Sequence, residues 1–159
     1  MSRWYLTNSA AADARACDAA ARAGLRRCGR VAEDDAHGEA YFKRSVDTPT
    51  FAVAADDCWI FCAGVLMLGG LMGTGALVDF VGMFLEYGIA AARAAAQGHY
   101  AVVIGHEGRI TAFTDELGAC TLYYGESNGQ WMLSTSLSLC AGSLPGRAVE
   151  PTTRDNGRA

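Results

Sequence analysis

The chain has 159 residues, of which 51% are hydrophobic and 19% charged, and its formal net charge is -4. A chain of this size and composition is expected to form one globular domain with a real core, which excludes a disordered protein. The acidic balance and the lack of a long Lys/Arg cluster exclude a nucleic-acid groove, so no nucleic-acid partner is expected.

The chain begins with a predicted strand and an Ala-rich helix. Residues 3–7 read as the strand, and Ser9 or Asn8 is suited to cap the helix that follows. We expect the helix to run over residues 10–28, because Gly29 is suited to end it.

The arginines at the end of that helix are expected to be solvated and to complement its dipole. These are Arg26, Arg27 and Arg30. The elements that follow are predicted as an acidic loop over residues 31–38, strands over 39–46, 50–55 and 58–68, and a helix over 75–96 with a break near Gly88.

The strongest local signal is a hairpin followed by a second turn and another strand. Residues 99–104 are rich in β-branched and aromatic side chains, Gly108 frees the turn, and residues 109–114 form the return strand. Asp115 can accept hydrogen bonds from the backbone of the next turn, so turn chemistry is its expected role. A strand that includes Tyr123 follows.

Near the end of the chain the sequence predicts a turn at 127–129, a strand over 130–134 and a short turn capped by Ser136. We expect one domain over residues 1–145 and a polar tail over 146–159. Most of the predicted elements are strands, with helices between groups of them, and this order predicts an α+β layered domain.

Residues 58–78 carry no charge and are long enough to cross a bilayer, which takes ~20 residues. Gly69 and Gly73 have the spacing of a helix-pairing motif, so a small membrane protein is one alternative. We favour a buried strand, a glycine-rich turn and the start of a helix, because glycines interrupt the run.

The six cysteines have no spacing typical of a metal site or a disulfide framework. Cys58 and Cys62 would share one face of a strand but lie too far apart for one tetrahedral ion. His99 and His106 have no acidic or Cys partner at metal spacing. We therefore expect buried structural thiols, no metal and no cofactor, and, with no secretory signal, a cytoplasmic protein.

Several segments together resemble one family. The family's helix and "F-A-hydrophobic" strand are similar to residues 84–88 and 98–104, and its "D-x-x-G-x-x-P-L-Y-Y" motif is similar to residues 115–124, with Thr121 in place of Pro. Its "S-S/T-E" segment is similar to residues 134–136, with Ser for Glu. The chain thus resembles the amino-terminal, glutaminase-like domain of asparagine synthetases and their relatives.

The resemblance implies the fold of class II glutamine amidotransferases, which is that of the amino-terminal-nucleophile (Ntn) hydrolases. This is an α+β sandwich of two mostly antiparallel sheets flanked by helices. Packing of the two sheets is then expected to bury Trp59, Phe61, Val65, Val102, Ile104, Ile110, Phe113 and Leu122.

The resemblance also assigns candidate site residues. The family's nucleophile is an amino-terminal Cys exposed by removal of methionine, with its own α-amine as base; here the position holds Ser2, a much weaker nucleophile, and a solvated terminus is the favoured interpretation. The family's Asn-Gly pair supplies the hydrogen-bond donors of the oxyanion hole. It falls at Ala63 and Gly64, so the glycine is kept and the side-chain donor is lost. Arg44 is the candidate for the substrate carboxylate, with a plain surface position favoured. No carboxylate remains near Thr74 to bind the amino-acid end.

These departures imply a glutaminase-like domain that has lost glutamine hydrolysis. Family members normally continue into an ATP-dependent synthetase domain, and the Ser-Gly-Gly-x-Asp pyrophosphate loop of that domain does not occur in this sequence. We expect a structural or regulatory partner of a separately encoded synthetase domain, or self-association, with the glycine-rich turn at 69–75 near the contact; a fragment is also possible. The rival function is an amidohydrolase or glutamine amidotransferase that uses Ser2.

Overall fold

A computed structural model describes residues 2–33, 36–42, 50–54, 58–144 and 150–151. It contains helices and antiparallel strands, numbered here in chain order. They are β1 Arg3–Thr7, α1 Ala10–Arg22, β2 Arg26–Glu33, β3 Ala36–Phe42, β4 Phe51–Val53, β5 Trp59–Leu68, β6 Leu71–Met72, α2 Thr74–Ala95, β7 Ala96–His106, β8 Arg109–Thr114, β9 Tyr123–Ser127, β10 Gln130–Ser134, α3 Leu137–Ser143 and β11 Glu150–Pro151.

The strands form two sheets. The first sheet has the order β11-β9-β10-β1-β3-β2, and the second has the order β4-β5-β7-β8, with β6 paired to the end of β5. Helices α1 and α3 pack on the outer face of the first sheet, and α2 packs on the outer face of the second. The predicted α+β sandwich of two antiparallel sheets flanked by helices is therefore confirmed.

Strand β5 shows why the uncharged run exists. Successive side chains of a strand point to opposite faces. Trp59 and Phe61 face the first sheet, whereas Ile60, Cys62 and Leu66 face α2. Both faces of this strand are buried over most of its length, so neither face requires a charged residue.

The membrane-spanning helix considered for residues 58–78 is not what the chain forms there. That stretch is strand β5, the short strand β6 and the first turns of α2. Among the described residues α2 is long and apolar enough, by length and composition alone, to cross a membrane. Its side chains at Leu77, Phe80 and Val81 are nevertheless buried against the second sheet.

Only part of the predicted core lies between the two sheets. The predicted burial is wrong for two residues, because Val65 is 40% exposed and Ile110 is 38% exposed. Val65 lies past Gly64 near the end of β5, and Ile110 lies next to the hairpin turn on the edge strand β8. Of the other six, Trp59, Phe61 and Leu122 are buried between the sheets. Val102, Ile104 and Phe113 are buried on the opposite face of the second sheet, against α2, so their expected place between the sheets is wrong.

Helix α1 begins where predicted but ends earlier. The Ala12 amide donates to the Ser9 side chain, which is the N-cap. The helix stops at Arg22 because Gly24 takes a φ of +67°, and the amides of Gly24 and Leu25 then close the last turn on α1 carbonyls. A β2–β3 hairpin occupies the stretch predicted as the helix end and an acidic loop.

The arginines assigned to a solvated helix end instead lie on β2, and two of them form ion pairs. Arg30 bridges Asp13 of α1 and Glu39 of β3, and Arg27 donates to the same Glu39 carboxylate. Burial by itself would raise the pKa of Glu39, but hydrogen bonds from Tyr41, Arg30 and Arg27 outweigh it and lower that pKa. The network ties α1 to the first sheet.

The second half of the chain follows the prediction closely. The helix breaks at Gly88, where φ is 81°, and the β7–β8 turn has positive φ at Glu107 and Gly108. Positive φ at Asn128 and Gly129 forms the next predicted hairpin turn. Strand β11 pairs with β9 inside the stretch predicted as a tail. The division into residues 1–145 and 146–159 stays a prediction.

Candidate functional site

Ser2 lies at the start of β1 and is buried. Its side-chain oxygen accepts a hydrogen bond from the backbone amide of Gly64 over 3.0 Å, and the residue is only 8% exposed. The favoured expectation of a solvated terminus at Ser2 is therefore wrong. The structure brings together the two residues that the resemblance placed in one site.

Hydrogen bonds to Trp4 fix the position of this end of β1. The Trp4 amide donates to Thr135 Oγ1 over 3.1 Å, and the Trp4 carbonyl accepts from the Thr135 amide and from Ser134 Oγ. The indole Nε1 donates to the carbonyl of Ala101 over 3.0 Å, across the sandwich. Sequence reasoning missed this role of Ser134 and Thr135, although the "S-S/T-E" resemblance pointed to the segment.

Gly64 occupies a position that only glycine fits. Its φ is +95°, and a methyl group on its Cα would overlap the carbonyl oxygen of His99 and lie 3.2 Å from Cys120 Sγ. The neighbouring Ala63 is buried between the sheets. Its methyl group can donate no hydrogen bond, so the backbone amide of Gly64 is the donor that this pair offers to Ser2.

Cys120 lies beside this pair, which the sequence did not predict. Its thiol is 4.0 Å from the Ala63 carbonyl oxygen. Burial raises the pKa of the Cys120 thiol, and the charge of Asp115 raises it further. A thiol held in its neutral form is a poor nucleophile, so Cys120 serves as packing here.

The other cysteines behave similarly. All six are free, and four of them are buried in the described structure. Burial raises the pKa of Cys62 to about 12 and that of Cys140 to about 11. Cys17 and Cys28 are half-buried, so the expectation of buried thiols holds for four of the six.

Asp115 performs turn chemistry, as predicted. One carboxylate oxygen accepts from the Tyr100 amide over 3.1 Å and the other from the Leu117 amide over 3.0 Å. The Gly118 amide donates to the Asp115 carbonyl. His99 Nδ1 lies 3.9 Å from the carboxylate, and its side chain is largely exposed.

The other positions that the sequence singled out add no further contact to the Ser2–Gly64 pair among the described residues. Arg44 lies outside the described residues, so its role as a carboxylate ligand stays a prediction. Helix α2 begins at Thr74 with no acidic residue in its first turn. No group of His, Cys, Asp and Glu side chains in the described ranges could hold a metal ion. Of the two tyrosines that end the motif over residues 115–124, Tyr123 packs against the core and Tyr124 is exposed, with its hydroxyl donating to Glu126.

Comparison with known proteins gives a structural match. No family model matches the chain, and no curated protein matches it. Among solved structures, it is similar to the glutamine phosphoribosylpyrophosphate amidotransferase from B. subtilis complexed with ADP and GMP, with a TM-score of 0.57 and 12% identity. The match covers 90% of this chain and 43% of that one, so the chain spans less than half the length of that protein.

At this identity the match shows the fold. The chain has the Ntn-hydrolase fold of class II glutamine amidotransferases, with its two antiparallel sheets and outer helices. The predicted fold is thus confirmed. The narrower likeness to the asparagine synthetase group stays a prediction.

Proposed function

We propose that this chain is a glutaminase-like domain that has lost glutamine hydrolysis and acts as a structural or regulatory partner of an ATP-dependent, amide-forming enzyme of the asparagine synthetase type. The observation that carries the proposal is the hydrogen bond from the Gly64 amide to Ser2 Oγ. The Gly64 amide is the donor that the oxygen of a reacting carbonyl would need. In this contact it binds the candidate nucleophile, Ser2 Oγ, instead.

The chemistry of that contact supports loss of hydrolysis. A hydroxyl is a weak nucleophile unless a base removes its proton, and an N–H that donates to the oxygen lowers its electron density further. Catalysis of acyl transfer also needs donors that point at the developing oxyanion, and losing one typically costs about 3 kcal/mol of transition-state stabilisation. Ala63 supplies no side-chain donor, and the first turn of α2 supplies no carboxylate for a substrate amine.

Glutamate release from glutamine tests the loss of activity. We expect the purified chain to release no more glutamate than its Ser2→Ala variant. A Ser2→Cys variant is the sharper control, because it restores a thiol at the same position. If the rest of the site is degenerate, Ser2→Cys is also inactive; strong turnover by Ser2→Cys would contradict the proposal.

Co-expression tests the partner role. The proposal places the chain in the cytoplasm beside a separately encoded synthetase that lacks its own glutaminase-like domain. Co-expression with such a synthetase is expected to give a soluble complex and a higher synthetase activity than the synthetase alone. A chain that neither co-purifies nor changes that activity would remove the basis for the partner role.

A glutamine amidotransferase or amidohydrolase that uses Ser2 is the second candidate function. It is favoured by the burial of Ser2 and by its 3.0 Å separation from a backbone donor, since nucleophile and oxyanion donor must be adjacent. This mechanism needs a free α-amine on Ser2, so intact-mass measurement must show that Met1 has been removed. Glutamate release that disappears in Ser2→Ala would establish this function in place of the first.

A further inference from the structure

The described part of the chain contains two asparagines, and their surroundings differ. The Asn8 carboxamide is held at both of its polar atoms: Nδ2 donates to the Gly129 carbonyl over 3.0 Å, and Oδ1 accepts from the Trp131 amide over 2.8 Å. Asn128 is exposed in the turn between β9 and β10, and its carboxamide has no hydrogen-bond partner among the described residues. The Asn128 side chain is therefore free to move and to react.

The residue after Asn128 offers a nucleophile. Asn128 and Gly129 are the two central residues of the hairpin turn, with φ values of 53° and 74°, and Ser127 pairs with Gln130 on either side of them. The exposed Gly129 amide forms no hydrogen bond within the described ranges, and glycine has no side chain that could shield its nitrogen. An unpaired carboxamide and an unpaired, unshielded backbone N–H are thus adjacent in the chain.

We propose that Asn128 deamidates spontaneously in the folded chain. Asparagine is a thermolabile residue, and water is the co-reactant. The Gly129 nitrogen loses its proton to hydroxide and attacks Cγ of Asn128. The bond from Cγ to the carboxamide nitrogen breaks, that nitrogen leaves as ammonia, and a cyclic imide remains.

Water then opens the imide at one of its two carbonyls. Breaking the bond between the Gly129 nitrogen and Cγ leaves an aspartate at position 128. Breaking the bond between the same nitrogen and the main-chain carbonyl of residue 128 leaves an isoaspartate, because the main chain then runs through Cβ and Cγ. In both cases one water is consumed, one ammonia is released and a negative charge is added to the turn.

The isoaspartate form changes the group that Asn8 binds. Its main chain is longer by one atom just before Gly129, inside a turn that the Ser127–Gln130 pair closes on both sides. The Gly129 carbonyl is then displaced from Asn8 Nδ2. Asn8 lies between β1 and the N-cap of α1, so loss of this contact loosens the link between the hairpin and the start of the chain.

The modification is independent of the proposed function. The turn lies at the start of β10, whereas Ser134, which binds the Trp4 carbonyl, lies at its end. Deamidation needs neither an active Ser2 nor a synthetase partner. Its failure and the failure of the proposed function are therefore distinguishable.

Incubation of the full chain at mildly alkaline pH, followed by peptide mapping with mass spectrometry, tests the reaction. We expect aspartate and isoaspartate to accumulate at position 128 while Asn8 stays unchanged. Mapping must separate the peptide that contains Asn156, because Gly157 follows that residue in the sequence. Asn128→Gly is the matched control, since glycine keeps the positive φ of the turn but has no carboxamide. A parallel incubation in urea gives the rate of the unfolded chain. If Asn128 reacts in urea but stays unmodified in the folded chain, the proposal is overturned.

Unfolding of the separated products tests the link to Asn8. The isoaspartate form is expected to unfold at a lower urea concentration than the unmodified chain, as Asn8→Ala does. Asn128→Asp adds the same charge with a normal main chain, and it is expected to keep the midpoint of the unmodified chain. An isoaspartate form with the same midpoint as Asn128→Asp would show that the longer main chain does not disturb the Asn8 contact.

Discussion

The Ser2 side-chain oxygen and the Gly64 amide lie 3.0 Å apart although 62 positions separate them in the chain. The residue that makes this contact has an unusual backbone, because Gly64 has a φ of +95° although it stays paired with Tyr100 in the β5–β7 ladder. The shape in turn depends on the absence of a side chain, because His99 O occupies the space of a Cβ.

Gly64→Ala is expected to destabilise the chain by about 3 kcal/mol. Positive φ costs an L-residue roughly 1–2 kcal/mol, and forcing a methyl group against the His99 carbonyl adds an overpacking cost of similar size. Urea unfolding measures the loss. Gly69→Ala is the matched control: Gly69 also has a positive φ, of 58°, but has open space around it, so only the smaller backbone cost applies. Equal losses in the two variants would contradict the steric argument.

A second glycine is required by an aromatic ring. A methyl group on Gly105 would overlap the indole of Trp59, which packs across the β5–β7 pair. We expect Gly105→Ala to lower the free energy of unfolding by about 2 kcal/mol. Gly82→Ala, on an open helical surface, is expected to raise it by about 0.5–1 kcal/mol instead. Thermal unfolding of both variants distinguishes ring packing from a general effect of removing glycine.

Local chemistry explains which elements the sequence could predict. The β7–β8 hairpin and the Asp115 turn depend on neighbours within a few positions, such as Gly108 and the Leu117 amide. Strand β5 was visible because its two buried faces leave an uncharged run. The sequence misplaces the end of α1 because Gly29 is as suitable a helix stop as Gly24, which ends the helix in the structure.

The candidate site was harder to predict because its contacts are non-local. The resemblance located Ser2 and Gly64, but the position of Ser2 depends on Trp4 being held by Thr135, which directly follows the distant strand β10. The position of Cys120 next to Gly64 likewise follows from the fold and not from any spacing. The ion pairs of Arg30 could not be inferred from the sequence, because it predicts a solvated helix end there and not strand β2.

The Glu39 carboxylate is expected to make the chain sensitive to acid. Its pKa is lower in the folded chain than in the unfolded chain, despite burial, because Tyr41, Arg30 and Arg27 donate to it. Its contribution to stability is therefore complete above the unfolded pKa of about 4.5 and is lost as the pH falls through the folded pKa.

Glu39→Gln tests this dependence. At pH 7 we expect a loss of about 2 kcal/mol, below the range for fully buried pairs because Arg30 and Arg27 are partly exposed. The difference from the wild-type chain should shrink as the pH is lowered below about 4.5. Chemical unfolding at a series of pH values gives both numbers. Glu107→Gln, at an exposed turn, is the control and should not change the pH profile.

Asp115 supports the turn that leads from β8 toward the Cys120 side of the site. Asp115→Ala removes the acceptor of the Tyr100 and Leu117 amides, and the first of these is buried. Leaving buried donors unpaired costs about 1–3 kcal/mol each, so we expect a loss of about 3 kcal/mol in the free energy of unfolding. Asp115→Asn keeps one oxygen acceptor and is expected to lose about half as much. Urea unfolding separates the cases: if Asn and Ala cost the same, the hydrogen bonds do not account for the role of Asp115.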